Sequence, residues 1–308
     1  MTTTNGHVPT TLDPDQRAAV EHGEGVVRVL GGPGTGKTTV LEERFLDLAC
    51  AEGCSPDRIL LLVPNRAHKM RLQDRLTRRL LFDRGLEALI DVPVFTWHGL
   101  ANHLVSRHYE DLGYSEPPVL LTSPEQWGDV RDALEGENEA NWPHHRHLLH
   151  NPGFVDEVVD FCIRAQQRVL EDRELDELAA ARPNWAEITR FFKGHRRRMQ
   201  ARSRIDYATL LSDATYLVAN FSDVRLPLQD RFLHVLVDDA QELALVQQRL
   251  LRFLAGRNGE EERSSRGRSL VLAGDPDSAI ETFRGADPGW IDDFGREFGP
   301  FRDVTLTT

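Results

Sequence analysis

Long apolar runs are missing from this 308-residue chain: no stretch approaches the ~18–20 apolar residues that cross a bilayer. The polar opening MTTTNGHVPTT lacks the basic-then-apolar layout of a secretory signal, so no membrane partner and a cytoplasmic location are expected. Cysteine is scarce. Cys50, Cys54 and Cys162 cannot build a disulfide framework and lack paired zinc-site spacing, so they read as free thiols. Lysine is nearly absent too, with Lys37, Lys69 and Lys193 standing alone among 37 basic residues. Positive charge is in deficit overall, 37 Lys+Arg against 49 Asp+Glu for a net −12, which argues against a nonspecific nucleic-acid coat but leaves local basic stripes open. A content of 40% apolar and 28% charged residues describes a globular chain, long enough for two modest domains or one large one.

What is present is alternation. Apolar runs at Val26–Leu30, Ile59–Val63, Val92–Thr96, His234–Val237, Leu270–Ala273 and Val304–Leu306 have the character of buried parallel strands. Helical patterns fall between them, as at Thr38–Ala49 and Ala67–Leu81; in the latter Leu72, Leu76 and Leu80 line one face and Arg71, Arg75, Arg78 and Arg79 lie off it. The rhythm predicts an α/β domain with a mostly parallel sheet. From about Ala101 to Arg204 the strand signal disappears among helix formers, charge and Trp127, Trp142 and Trp185. The expected division is an α/β domain from 1–105 and 205–308, interrupted by an α-helical insertion at 106–204. Gly256–Arg268 reads as a solvated polar loop.

Gly31-Gly32-Pro33-Gly34-Thr35-Gly36-Lys37-Thr38 matches the phosphate-binding pattern G-x-x-x-x-G-K-[ST] at every specified position, with a strand before it and a helix after. Its glycines let backbone N–H groups turn inward around phosphates, and the helix N-terminus adds a favourable dipole. Lys37 would reach the β/γ-phosphates of ATP, Thr38 would bind Mg²⁺ through its hydroxyl, and Thr39 completes the nucleotide contacts. An arginine would be too bulky for the compact charge this position needs. A plain glycine-rich turn is the ordinary alternative, which the pattern and its context together disfavour. The apolar run His234–Val237 ends in two acids: Asp238 as the Mg²⁺-side carboxylate and Asp239 as the base that orients attacking water.

These and further residues, in order, resemble superfamily 1 DNA helicases of the UvrD/PcrA/RecB type. Leu12-Asp13-Pro14-Asp15-Gln16 is similar to the family's Q motif, in which Gln16 would read adenine, and Arg44 matches an arginine flanking the nucleotide. Pro64-Asn65-Arg66-Ala67 resembles T-N-K-A, and Thr96-Trp97-His98-Gly99 resembles T-F-H-S; the likeness implies single-stranded DNA contacts for Asn65, Arg66, Thr96, Trp97 and His98. Ile205–Leu211 is similar to a stretch D-F-x-D-L-L, and Asp238–Glu242 corresponds to D-E-A-Q-D. Gly274-Asp275-Pro276-Asp277 through Phe283-Arg284-Gly285-Ala286 resembles a third motif, with Phe283 able to stack on a base and Arg284 able to touch the γ-phosphate. The resemblance implies a RecA-like P-loop domain, ATP and Mg²⁺ as cofactors, and 3′→5′ movement on single-stranded DNA in repair or recombination.

Four positions depart from the pattern. Asp239 replaces Glu and is one methylene shorter; Ser278 replaces a Gln that senses the γ-phosphate; Glu281 replaces a stacking Tyr; Pro64 replaces a Thr. The chain also reaches Thr308 where the family would continue into a second RecA-like domain, so that domain is expected to be absent, and the chain reads as a truncated product, a fragment, or a subunit completed by a protein partner. Two basic stretches, Arg66–Arg79 and Phe191–Arg204, are candidates for a backbone track. His144, His145, His147 and His150 form a cluster better read as a polar turn than a metal site, for want of a carboxylate within it. Three other readings stand beside the helicase: an ATP- and DNA-binding module with negligible turnover, a different phosphate-loop enzyme such as a small-molecule kinase, and one motor of a two-subunit AdnA/AdnB helicase–nuclease.

Overall fold

Six short runs, most of them rich in Val, Leu and Ile, pair edge to edge, because strands buried on both faces tolerate almost nothing else. The computed structural model describes residues 11–50, 54–83, 91–255, 268–280 and 286–307. The strands are β1 (Gly25–Leu30), β2 (Ile59–Val63), β3 (Val94–Thr96), β6 (His234–Val237), β7 (Ser269–Gly274) and β8 (Arg302–Thr305); β4 (Val119–Leu120) and β5 (Arg204–Ile205) form a separate two-residue pair. The six-stranded sheet runs β3-β2-β6-β7-β1-β8, and every pairing is parallel. Every residue of β2, β6 and β7 is buried.

Two strand limits differ from the sequence expectation for local reasons. The third starts at Val94 rather than Val92, because Pro93 has no N–H to give the ladder and instead accepts from Leu61 through its carbonyl. The last begins at Arg302, ahead of its apolar run. As an edge strand it buries Val304 and leaves Arg302, Asp303 and Thr305 outward, so hydrophobicity marks it poorly. Arg28 of β1 grips it, with Nε 2.6 Å from Asp303 Oδ1 and its guanidinium 4.8 Å from the centre of the Phe301 ring.

The helices are α1 (Pro14–Val20), α2 (Lys37–Cys50), α3 (Arg66–Arg78), α4 (Trp97–Val105), α5 (Ser123–Glu135), α6 (Pro152–Gln167), α7 (Asp172–Ala181), α8 (Trp185–Ala201), α9 (Tyr207–Asn220), α10 (Ser222–Arg231), α11 (Leu245–Leu254), α12 (Trp290–Asp293) and α13 (Gly295–Phe298). None of the described helices is long and apolar enough to cross a membrane. The chain divides into two compact units, one from 1–97, 222–243 and 251–308, the other from 98–221 and 244–250.

The core of the first unit joins Val27, Val29, Leu41, Phe45, Leu61, Leu72, Leu76, Leu236 and Val271 around the sheet. The second unit is helical apart from the β4–β5 pair, and it packs Val130, Leu134, Phe154, Val158, Phe191 and Phe192 around a fully buried Trp142. The fold class is therefore α/β, a parallel sheet with a helical insertion. The loop expected at Gly256–Arg268 lies outside the described residues up to position 267.

Candidate nucleotide site

The phosphate loop starts where β1 ends. Gly34 and Gly36 adopt φ of +83° and +89°, left-handed values that L side chains resist, so the loop can reverse direction into α2. A side chain at Gly36 would also strike Gln16, whose Nε2 lies 2.6 Å from where its Cβ would sit. Thr35 closes the turn by donating its hydroxyl to the Gly32 carbonyl at 2.9 Å. Lys37 opens α2 and curls back over the loop, donating Nζ to the carbonyls of Gly31 at 2.5 Å and Gly32 at 2.9 Å. Its ammonium is thereby held across the mouth of the loop, and its three hydrogens can be re-aimed at an anion placed there.

The next residue carries the connection to β6. Thr38 Oγ1 donates to Asp238 Oδ2 at 2.9 Å, across 200 positions of sequence. Asp238 is 2% exposed, and burial, reinforced by neighbouring Asp239, pushes its carboxyl up to about 6. Such a carboxylate is short of positive charge. A hydroxyl and a carboxylate that meet at a phosphate loop are also the oxygen donors a small hard cation takes alongside phosphate and water. The residues present fit Mg²⁺. Among the described residues no group of three or more His, Cys, Asp or Glu could hold a metal without such additional ligands.

Asp239 follows in the left-handed region, φ +52° and ψ +48°, a conformation Asp tolerates better than most residues and which turns its side chain away from the strand direction. Gln241 ties it to the end of β7: Nε2 lies 3.4 Å from Asp239 Oδ1, and Oε1 accepts from the Asp275 N–H at 3.0 Å. Ser278, in the turn after β7, donates its hydroxyl to the Asp275 carbonyl at 3.2 Å. His68, which the sequence reading did not single out, places Nε2 3.5 Å from Asp238 Oδ2. Burial lowers its pKa below the ordinary histidine value.

Other expected residues are employed differently. Gln16 reaches the loop, donating Nε2 to the Thr35 carbonyl at 3.1 Å while Oε1 accepts from the Asp13 N–H in a capping box at the start of α1. Arg44, expected to flank the nucleotide, turns its guanidinium onto backbone carbonyls. It is 3% exposed, and its two Nη atoms each donate over 2.7 Å, to the carbonyls of Val20 and Gly23, satisfying groups left open where α1 ends. Trp97 is also placed differently from the expected stacking role. At 3% exposure it lies on the face of α4 that also buries Leu100, Ala101 and Leu104, a spacing of three, four and seven that the sequence displayed.

Among the DNA candidates, Asn65 caps α3 by accepting from the His68 N–H at 2.9 Å, and Arg66 is exposed at the first position of that helix. Thr96 is half-buried at the end of β3. His98 meets Tyr207 edge to face, ring centres 5.3 Å apart, and Tyr207 is 46% exposed. Tyr207 stands in the stretch Ile205–Leu211, and its aromatic character was the signal overlooked. Phe283, Arg284 and Glu281 lie outside the described residues.

The basic stretches are less free than their composition suggests. Arg75 pairs with Glu42 and Arg79 with Glu43, both acids on α2, while Arg78 pairs with Asp74. In the second stretch Lys193 pairs with Asp176, Arg198 lies near Glu137, and Arg202 and Arg204 lie near Asp129. The histidine cluster finds its carboxylate on α8: Glu187 accepts from both His144 and His145 at Nδ1, each over 2.7 Å.

A P-loop, an acid at the end of the strand that faces it, and a parallel sheet with a helical insertion define a nucleotide-binding domain of the RecA-like class. The profile of the UvrD/REP helicase N-terminal domain matches residues 12–299, and the chain belongs to that family. It is 24% identical to DNA helicase II of Escherichia coli (strain K12) over 298 residues, 96% of this chain and 38% of that protein. It is 25% identical to ATP-dependent DNA helicase UvrD1 of Mycobacterium bovis over 309 residues, 96% of this chain and 37% of that protein. DNA helicase II of Haemophilus influenzae is likewise 25% identical over 290 residues. The chain thus spans under two-fifths of the length of these curated relatives.

Proposed function

We propose that this chain binds ATP with Mg²⁺ and forms the ATP-hydrolysing front portion of a DNA helicase. The observation that carries the reading is the meeting of Thr38 Oγ1 and Asp238 Oδ2 at 2.9 Å beside a loop already closed by Lys37. In this reading the backbone of Gly31, Gly32, Pro33, Gly34, Thr35 and Gly36 surrounds the phosphates, with Thr39 the third residue of α2, just beyond the loop. Lys37 leaves the loop carbonyls for the β/γ-phosphates. Thr38 and Asp238 hold the metal side, and Gln16 exchanges its Thr35 contact for the adenine edge. Bound Mg²⁺ would neutralise developing charge on the phosphate oxygens.

Asp239 accepts a hydrogen bond from water and aligns it with the γ-phosphorus. The water oxygen forms the new P–O bond as the bond to the ADP oxygen breaks, and the proton leaves through the carboxylate. Arg284 is proposed to touch the γ-phosphate. Asn65, Arg66, Thr96, His98 and Phe283 are proposed to meet single-stranded DNA, joined by Tyr207. In a longer protein, hydrolysis would drive 3′→5′ movement along that strand in repair or recombination; the names of the relatives support helicase action at family level only.

A second reading is a nucleotide-binding module with negligible turnover. Ser278 favours it, since its hydroxyl is turned onto the carbonyl of its own turn rather than outward. Steady-state ATP hydrolysis with and without single-stranded DNA, beside Lys37→Ala, separates the two. DNA-raised turnover above the Lys37→Ala level supports the enzyme. Turnover equal to the variant's, with ATP still bound, supports the module. No ATP binding by the unaltered chain refutes both.

A further inference from the structure

We propose that His68 is a positioning residue of the nucleotide site, holding the Asp238 carboxylate with Oδ2 toward the Thr38 hydroxyl and thereby setting how tightly the site takes Mg²⁺ with a nucleotide. The inference rests on the reading of Thr38 and Asp238 as the metal side of an ATP site.

Backbone pairing brings the two residues together. β2 and β6 run parallel with Leu62 opposite Val237, and the Asp238 N–H donates to the Leu62 carbonyl at 2.9 Å. Asp238 therefore emerges beside the end of β2, where the chain turns through Pro64 and Asn65 into α3. Asn65 fixes the first turn by capping the His68 N–H at 2.9 Å. Side chains on a helix tilt toward its N-terminus, so at the third position of α3 the imidazole leans back over the strand ends. There Nε2 stands 3.5 Å from Asp238 Oδ2.

The contacts on the carboxylate divide the work. Oδ1 accepts from the Asp239 N–H at 3.1 Å, which fixes one side. Oδ2 accepts from Thr38 at 2.9 Å and faces His68. When the Thr38 oxygen also offers a lone pair to a cation, its hydroxyl hydrogen still points at Asp238, but it is then the partner that moves with the ligand. His68 belongs to neither the phosphate loop nor β6, so its place beside Oδ2 is set by the capped first turn of α3. The ring is partly covered, 18% exposed at its side chain. Groups that orient a ligating carboxylate from outside commonly govern metal affinity by one to two orders of magnitude.

The test uses the full chain and a fluorescent, non-hydrolysable N-methylanthraniloyl ATP analogue, titrated with Mg²⁺ and also measured without metal. For His68→Ala the Mg²⁺ concentration at half-maximal effect should rise about 10-fold while metal-free nucleotide affinity stays within about twofold. His68→Gln, which carries an N–H donor out to a similar reach, should recover most of the shift; His68→Asn, too short, should not. Should His68→Ala fail to fold, the Gln–Asn contrast decides alone. An unchanged Mg²⁺ midpoint in His68→Ala, equal midpoints for Gln and Asn, or a metal-free loss as large as the loss with metal would each overturn the proposal. If the unaltered chain shows no Mg²⁺-dependent nucleotide binding, the ATP-site reading fails and takes this proposal with it. If it does show such binding and the variants match it, only His68 is at fault.

Discussion

Replacing Glu42 by Gln should remove one pH-dependent contribution to the stability of the first unit. Glu42 lies on α2, 4% exposed, and its carboxylate meets Arg75 of α3. The pairing is unequal, because the Arg75 side chain is 55% exposed and water screens much of its attraction. Burial prevails over it, and the Glu42 carboxyl is pushed up from 4.5 to about 7. Between those values the folded chain keeps a proton that the unfolded chain has released. Stability from this group therefore falls as pH rises across that window. A rise from 4.5 to about 7 corresponds to about 3 kcal/mol. Glu42→Gln keeps the shape and an oxygen for Arg75 but has nothing to ionise.

Urea unfolding read by hydrogen exchange in peptides covering β2 and β6 reports this unit alone. The variant should be stabilised relative to the original chain by about 2–3 kcal/mol more at pH 8 than at pH 5. A difference that is the same at both pH values would refute the reasoning. It would mean that Arg75 outweighs burial and that Glu42 is ionised throughout.

Arg44→Met should cost about 2–4 kcal/mol by the same unfolding measurement, since two charge-assisted hydrogen bonds vanish and two carbonyls lose their partner. Its nucleotide affinity should barely change, and a large affinity loss at unchanged stability would restore the nucleotide role. Gly274→Ala places a Cβ 2.6 Å from Ile291 Cδ1 and 2.9 Å from Gln241 Oε1, so it should destabilise by about 1–3 kcal/mol and lower ATP turnover by displacing the link to Asp239. Full turnover in Gly274→Ala would show that Gln241 does not steer Asp239. Tyr207→Ala should weaken binding of single-stranded oligonucleotides by about 1–3 kcal/mol per lost stack, read by fluorescence anisotropy at fixed salt. Binding unchanged in that variant would remove Tyr207 from the DNA surface.

The parts of this molecule that its sequence displays are those in which one residue's identity carries the physics. Gly34 and Gly36 announce a backbone few other residues could adopt, and all-apolar runs such as Ile59–Val63 announce strands covered on both faces. Pairings formed only when distant segments meet are not displayed. Arg44 reads the same in a helix whether it faces phosphate or the carbonyls of Val20 and Gly23. Trp97 was legible in principle, because its spacing to Leu100, Ala101 and Leu104 marks a buried stripe, but the motif drew attention to its ring instead. The basic run Arg66–Arg79 looked like a track because sequence shows charge without its partners; Glu42 and Glu43 sit more than thirty residues away.

Those partners change what α3 can do. Its later turns are bound to α2 through the Arg75–Glu42 and Arg79–Glu43 pairs, and α2 begins with Lys37 and Thr38. Its first turn is capped by Asn65 and faces Asp238 through His68. The Arg79–Glu43 pair is worth more than an ordinary surface pair, because both side chains are nearly covered, 12% and 11% exposed, and the contact is bidentate. A helix held at one end to the phosphate-loop helix and at the other to the acid beyond it cannot tilt without disturbing both. Arg66, exposed at its first position, therefore stands on an element whose place is fixed by the nucleotide site.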